Sequence, residues 1–139
     1  MRIVVIWVKQ GKAYLPTQAQ TEAGYFMGIE PIHIANLAKE DMITAIEKVL
    51  ATGHPRVPTL TREEFRHRKD PLLAITKSKT WKDFERDAIA FTITWTENEI
   101  VLNITDKSSK FQHDLNRQHI FPLETPLDMI VESILKTLF

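Results

Sequence analysis

Between residues 88 and 105 apolar and polar positions alternate with a period of two. Ile89, Phe91, Ile93 and Trp95 are separated by small or polar residues, the pattern of a half-buried strand. Glu97-Asn98 reads as a two-residue turn, because Asn is one of the few residues that tolerates positive φ. Pairing Thr96 with Glu99 then sets Trp95 opposite Ile100, Ile93 opposite Leu102 and Phe91 opposite Ile104. All of these apolar side chains share one face, and a one-residue slip would expose half of them, so the pattern fixes its own register. A lone hairpin is only marginally stable, so this face demands helices or further strands against it.

The rest of the chain supplies them. Residues 2–9 are β-branched and aromatic, a strand apolar on both faces and hence central in a sheet. Gly11-Lys12 is a turn signal. Tyr14, Tyr25, Phe26, Ile29, Ile32 and Ile34 predict two short strands around the polar stretch Thr17 to Glu22. Pro16 and Pro31 place any strand that contains them at an edge or an end. Asn36 is the expected cap of a helix over 37–52, with Met42, Ile43, Ile46, Val49 and Leu50 as its buried stripe and Gly53 as its C-terminal cap. Residues 54–60 read as an extended connector. Thr61 with Glu64 is a capping-box pattern that opens a short charged helix, ended by Pro71. A second box at Thr80 and Asp83 starts a helix through about residue 87, with Trp81, Phe84 and Ala88 inward. Residues 107–119 are unpatterned and read as a loop or as a lone edge strand near 118–122. Leu127, Ile130, Val131, Ile134, Leu135 and Leu138 mark a final helix over 126–138. The fold class is therefore α/β of the α+β type: a single domain, residues 1–139, with a largely antiparallel sheet, a central hairpin and packed helices.

Composition narrows the function classes. The chain is 43% hydrophobic and 26% charged, as globular proteins are, and eighteen basic residues balance eighteen acidic ones. A dedicated non-specific nucleic-acid binder would be clearly basic. With no cysteine, disulfides and thiolate metal sites are excluded. The apolar run Ile3 to Val8 is too short for a secretory core or a membrane span, which gives the expectation of a cytoplasmic protein.

Candidate chemistry is thin. The histidines at 33, 54, 67, 113 and 119 form no metal-binding pair, and His113, Asp114 and His119 are the nearest approach to a cluster. They read as surface histidines. Gly24 and Gly28 lack the lysine and hydroxyl of a phosphate loop, and a bulge or tight strand end explains them more simply. Arg62, Arg66, His67, Arg68 and Lys69, beside Phe65, could hold single-stranded RNA. Glu63 and Glu64 cancel half of the four formal charges, which favours a solvated helix face. Asp128, Glu132 and Lys136 read as surface pairs at spacing four. The expectation is a protein with no catalytic residues, no cofactor and no metal.

Three stretches carry a family likeness: Gly24-Tyr25-Phe26 leading to Ile29-Glu30-Pro31, the connector with Gly53, Pro55, Val57 and Pro58, and Ser78-Lys79-Thr80-Trp81-Lys82-Asp83-Phe84 before the strands. In these the chain resembles the immunity proteins of bacterial contact-dependent growth inhibition systems. The resemblance implies a small cytoplasmic protein that binds the C-terminal toxin domain delivered by a neighbouring cell. Such toxins are often nucleases, many acting on RNA, and immunity works by occlusion, with no chemistry by the immunity protein. Its partner would be the cognate toxin domain, with no direct nucleic acid and no membrane. Contact residues in these families diverge between cognate pairs, so none is carried over.

A toxin cleft that holds RNA phosphates is electropositive, and carboxylates suit an inhibitor of it. Between residues 13 and 60 lie Glu22, Glu30, Glu40, Asp41 and Glu47 against Lys39, Lys48 and Arg56. Glu40, Thr44 and Glu47 share one helix flank with Asp41 at its edge. The candidate toxin-binding residues are thus Glu22, Tyr25, Glu30, Glu40, Asp41, Thr44 and Glu47, Tyr25 serving as an aromatic anchor. Two rivals stay open: an RNA-binding regulator built on residues 62–69, and a small hydrolase around His113, Asp114 and His119.

Overall fold

The computed structural model describes residues 1–106 and 117–139. Its centre is β1 (Arg2–Lys9), which pairs antiparallel along its whole length with β5 (Ala88–Trp95). β5 pairs in turn with β6 (Glu99–Asp106) in the register that the alternation dictates: Trp95 opposite Ile100, Ile93 opposite Leu102, Phe91 opposite Ile104. Phe91, Ile93, Ile100, Leu102 and Ile104 are fully buried, and Trp95 packs at the margin of the same core. The turn closes differently from expectation. Asn98 does not take positive φ; the Thr96 hydroxyl accepts from the amides of Asn98 (3.3 Å) and Glu99 (3.1 Å), which holds the corner without it.

On the other side of β1 lies β2 (Lys12–Thr21), joined to it through Gln10-Gly11. Both turn residues have positive φ, 49° and 76°, the geometry whose twist matches a tight hairpin and which glycine adopts freely. The β1–β2 ladder stops at Tyr14, two residues before Pro16, which has no N–H to continue one. On its other edge β2 pairs with β3 (Phe26–Asn36) from Lys12 to Gln20, with a register shift between Pro16 and Thr17. Pro16 therefore sits at a bulge inside the sheet, and only Pro31 lies on an edge strand. The polar stretch from Thr17 is likewise no loop. Thr17, Gln18 and Thr21 are buried within β2, because the Thr17 hydroxyl donates to the Pro31 carbonyl (2.8 Å) and the Thr21 hydroxyl to the Tyr25 carbonyl (3.1 Å).

The sheet order is β3-β2-β1-β5-β6-β7, where β7 (Arg117–Pro122) pairs with β6 at the far edge. A two-residue strand, β4 (Arg56–Val57), pairs parallel with the end of β2, so the expected connector is partly sheet. The histidine before it is structural. His54 Nε2 accepts from the Ile3 amide (3.1 Å), so Nδ1 carries the proton and donates to the Gln18 carbonyl (2.8 Å). That ring links β1 to β2 where their own ladder has ended. Gly24 sits at positive φ in the β2–β3 turn, and Gly28 lies inside β3.

One sheet face carries α1 (Lys39–Thr52) and α5 (Leu127–Leu138). α1 begins at Lys39 with Ala38 as an N-cap that offers no side chain. Asn36 belongs instead to β3, where its amide donates to Asp41 (3.0 Å). Met42, Ala45, Ile46 and Val49 of α1 and Ile130, Val131 and Ile134 of α5 complete the main core with Val4, Ile6, Val8 and Leu15. Asp128 and Glu132 do not pair along their own helix; both reach Lys39 of α1, at 3.6 and 2.6 Å. Gly53 caps α1 at φ 73°, its N–H donating to the Val49 carbonyl (3.1 Å).

The opposite face carries three short helices, α2 (Arg62–His67), α3 (Pro71–Ile75) and α4 (Trp81–Glu85). The capping box of Thr61 and Glu64 is fully formed. α2 ends before Pro71, and Pro71 starts α3, with the Asp70 carboxylate as N-cap. Thr80 caps α4 through the Asp83 amide (3.1 Å). Phe84 and Ala88 are buried with Leu72 in a second core, against Trp7, Tyr14 and Ile32. Trp81, expected inward, is on the rim: it packs against Trp7 and Phe84, with ring centres 6.0 and 5.3 Å apart, and is 38% exposed. Among the described residues no helix is long and apolar enough to cross a membrane.

Candidate binding surfaces

Trp7 and Tyr14 alternate along their strands with Ile6, Val8, Ala13 and Leu15, which point into the main core. α1 and the short helices therefore occupy opposite faces of the sheet. This divides the candidate residues read from sequence into separate groups. Glu40, Thr44 and Glu47 lie together on the exposed flank of α1, and Asp41 is exposed but turned toward β3 by its bond from Asn36. Glu30 is exposed on the β3 edge. Glu22 and Tyr25 are at the β2–β3 turn, where the Tyr25 carbonyl holds the Thr21 amide (2.9 Å) and Tyr25 itself faces the short-helix side. One surface thus presents the α1 carboxylates, and another presents Tyr25.

Around Tyr25 the structure builds a cleft that sequence patterning does not announce. Its volume is about 590 Å³, and Tyr25, Met27, Phe65, Arg66, Arg68 and Trp81 are among its walls. Tyr25, Phe65 and Trp81 are 44%, 57% and 38% exposed, too open for core residues and too apolar for a solvated surface. Arg68 is not part of a free basic face. It donates to the Gly28 carbonyl and pairs with Asp70 (3.1 Å), which fastens the loop after α2 to the edge strand β3. Arg66 is exposed and makes no ion pair among the described residues. The sequence signal for this cleft was local: Phe65 stands in a charged, capped helix that buries none of its residues, and Trp81 opens a helix whose core position is taken by Phe84.

A second cleft lies between β3 and α1, and Asp41, Thr44 and Lys48 line it. A third polar recess holds Lys9, whose ammonium is almost wholly buried. It donates to the Phe84 carbonyl (3.0 Å) and the Asp87 carboxylate, and lies 5.3 Å from the Phe84 ring centre. The hydrogen bond from Lys9 holds the Asp87 carboxyl below the ordinary carboxylate range, against the opposing effect of burial. Of the hydrolase candidates, His113 and Asp114 lie outside the described residues, and His119 is exposed on β7. Among the described residues no three His, Asp or Glu side chains gather where a metal could sit.

No family model and no curated protein matches the sequence. The chain is similar in structure to a protein of unknown function from Neisseria meningitidis. The TM-score is 0.59 at 12% identity, over 97% of this chain and 91% of that one. A likeness at that identity is one of fold, and it extends over nearly the whole of both chains.

Proposed function

We propose that this protein works by binding another protein: it is an immunity protein that neutralises the C-terminal toxin domain, in this reading an RNA-cleaving nuclease, of a contact-dependent growth inhibition effector. The observation that carries the reading is the cleft of Tyr25, Phe65 and Trp81 around Arg66. Aromatic residues and arginine dominate the energetic centres of protein interfaces, where they fill pockets on a partner. The sheet and the Arg68 anchor hold this cleft in place before any partner arrives, so little ordering accompanies binding. The chain itself performs no chemistry in this reading; it covers the toxin's working surface in the cytoplasm of the protected cell.

The RNA-binding alternative draws on the same arginine and rings, since a single strand stacks on aromatic side chains. The charge balance weighs against it. Arg68 is engaged by Asp70, Glu63 and Glu64 flank Arg62 and Arg66, and the chain as a whole is neutral. The proposal expects a toxin-like C-terminal domain to be encoded immediately upstream, and co-expression with that domain is its test. The expected results are a stable one-to-one complex and restored growth, both impaired by Tyr25→Ala/Trp81→Ala. Normal growth inhibition despite abundant folded protein, or salt-sensitive binding of a single-stranded oligoribonucleotide in place of the complex, would overturn it.

A further inference from the structure

We infer that the cleft between β3 and α1 is a binding site for a small oxyanion, a carboxylate or phosphate group, separate from the aromatic cleft. It has a volume of about 340 Å³, within the usual range for small-molecule sites, and is lined by Lys12, His33, Asn36, Asp41, Thr44 and Lys48. Part of this polar set is already satisfied internally. Lys12 donates to the Asn36 side-chain oxygen Oδ1 (2.6 Å), and the Asn36 side-chain Nδ2 donates to Asp41 (3.0 Å). This chain couples the one carboxylate of the cleft to one of its two ammonium groups through a single amide.

Three groups are left over. Lys48 makes no ion pair among the described residues, and the Thr44 hydroxyl makes no hydrogen bond among them. His33 Nε2 is buried without a hydrogen-bond partner, alone in that respect among the described side chains. An orphaned buried polar atom is costly, and native proteins leave few of them. Here it belongs to a residue in the wall of a polar cleft whose lining also includes a free ammonium and a free hydroxyl. The imidazole can present Nε2–H as a donor when Nδ1 is the unprotonated nitrogen, and Lys48 and Thr44 supply two more. Donors with a surplus of one positive charge over Asp41 fit an anionic oxygen cluster, and they do not fit a cation or an apolar ligand.

The site is tested on the intact protein with inorganic phosphate and with acetate, titrated separately and followed by amide and imidazole NMR signals. Saturable shifts confined to Thr44, Lys48 and the His33 ring are expected with at least one probe, at a Kd of about 1 mM or tighter. Phosphate and acetate curves of different affinity say which oxyanion the site prefers. Lys48→Ala should weaken binding about tenfold or more, and His33→Leu should weaken it while leaving the fold intact. Lys136→Ala, remote on α5, should change nothing. Shifts that fail to saturate, or shifts spread equally over other lysines, would overturn the site. So would a His33→Leu protein that is more stable yet binds the anion as before, because His33 would then be only an unpaired core residue.

Discussion

Lys9 shows how far one side chain can depart from the reading of its neighbours. In sequence it is the charged last residue of the apolar strand over 2–9. In the fold it is 5% exposed, because Asp87 and the Phe84 carbonyl meet its ammonium at the edge of the second core. The two ends of this pair are unequal, since Asp87 still reaches solvent and Lys9 does not. Asp87→Asn leaves a buried ammonium without its counter-charge and should cost about 3 kcal/mol in urea unfolding; Lys9→Met removes the buried charge itself and should cost clearly less. The pair also sets a pH dependence. The folded-state carboxyl titrates below its unfolded value, so its stabilisation is complete above about pH 4 and is lost as pH falls through the lower folded value. Urea midpoints of the native protein should therefore drop below pH 4 more steeply than those of Asp87→Asn, and parallel curves would remove Asp87 as the cause. His54 carries the same lesson: nothing in its local sequence says that both ring nitrogens will join two strands. Pairings across this many residues leave no periodic trace.

Elements were legible where burial is one-sided and continuous. The β5–β6 ribbon and α5 have uninterrupted apolar spacing, and both form over nearly the residues expected, because a face that must be buried fixes register and length together. Ile93, fully buried opposite Leu102, is the sensitive point. Ile93→Ala should cost about 2–5 kcal/mol through lost contacts and the cavity left behind. A loss below about 0.5 kcal/mol in chemical denaturation would mean that the face bears no packing load. Where side chains compete for backbone groups, the pattern misled. Thr17 and Thr21 look like turn residues and are buried strand residues, because each hydroxyl finds a carbonyl across the β2–β3 pair. Pro71, the expected stop of one helix, is also the start of the next: proline at the first helical position loses no bond, and Asp70 supplies the cap through the Leu72 amide (2.9 Å). Thr96 removes the need for a left-handed Asn98 in a similar way.

At the scale of the whole molecule, the candidate surface read from sequence depends on a question that only the sheet answers: which face each residue occupies. Tyr25, Glu40 and Glu47 lie within a span of 23 residues in the chain, yet the sheet separates the α1 flank from the cleft that Tyr25 lines. A protein interface of ordinary size covers roughly 800 Å² of each partner. Against a total accessible surface of 8507 Å² that is about a tenth, too little to take in both faces of the sheet. On the proposed immunity reading, the aromatic cleft and the acidic flank then have different parts in binding. Rings that enter a partner's pockets govern how slowly a complex falls apart, whereas carboxylates outside the contact act on encounter through the long-range field. Tyr25→Ala/Trp81→Ala should raise the dissociation rate from the cognate toxin domain by about thirtyfold or more, equivalent to about 2 kcal/mol, with little effect on association. Glu40→Lys/Glu47→Lys should slow association several-fold at low salt and converge on the native rate as salt rises, with dissociation unchanged. Rapid-mixing kinetics at two ionic strengths separates the alternatives. Faster dissociation from the charge reversal, with the aromatic double variant behaving as native, would move the contact to α1 and leave the cleft without a part in it.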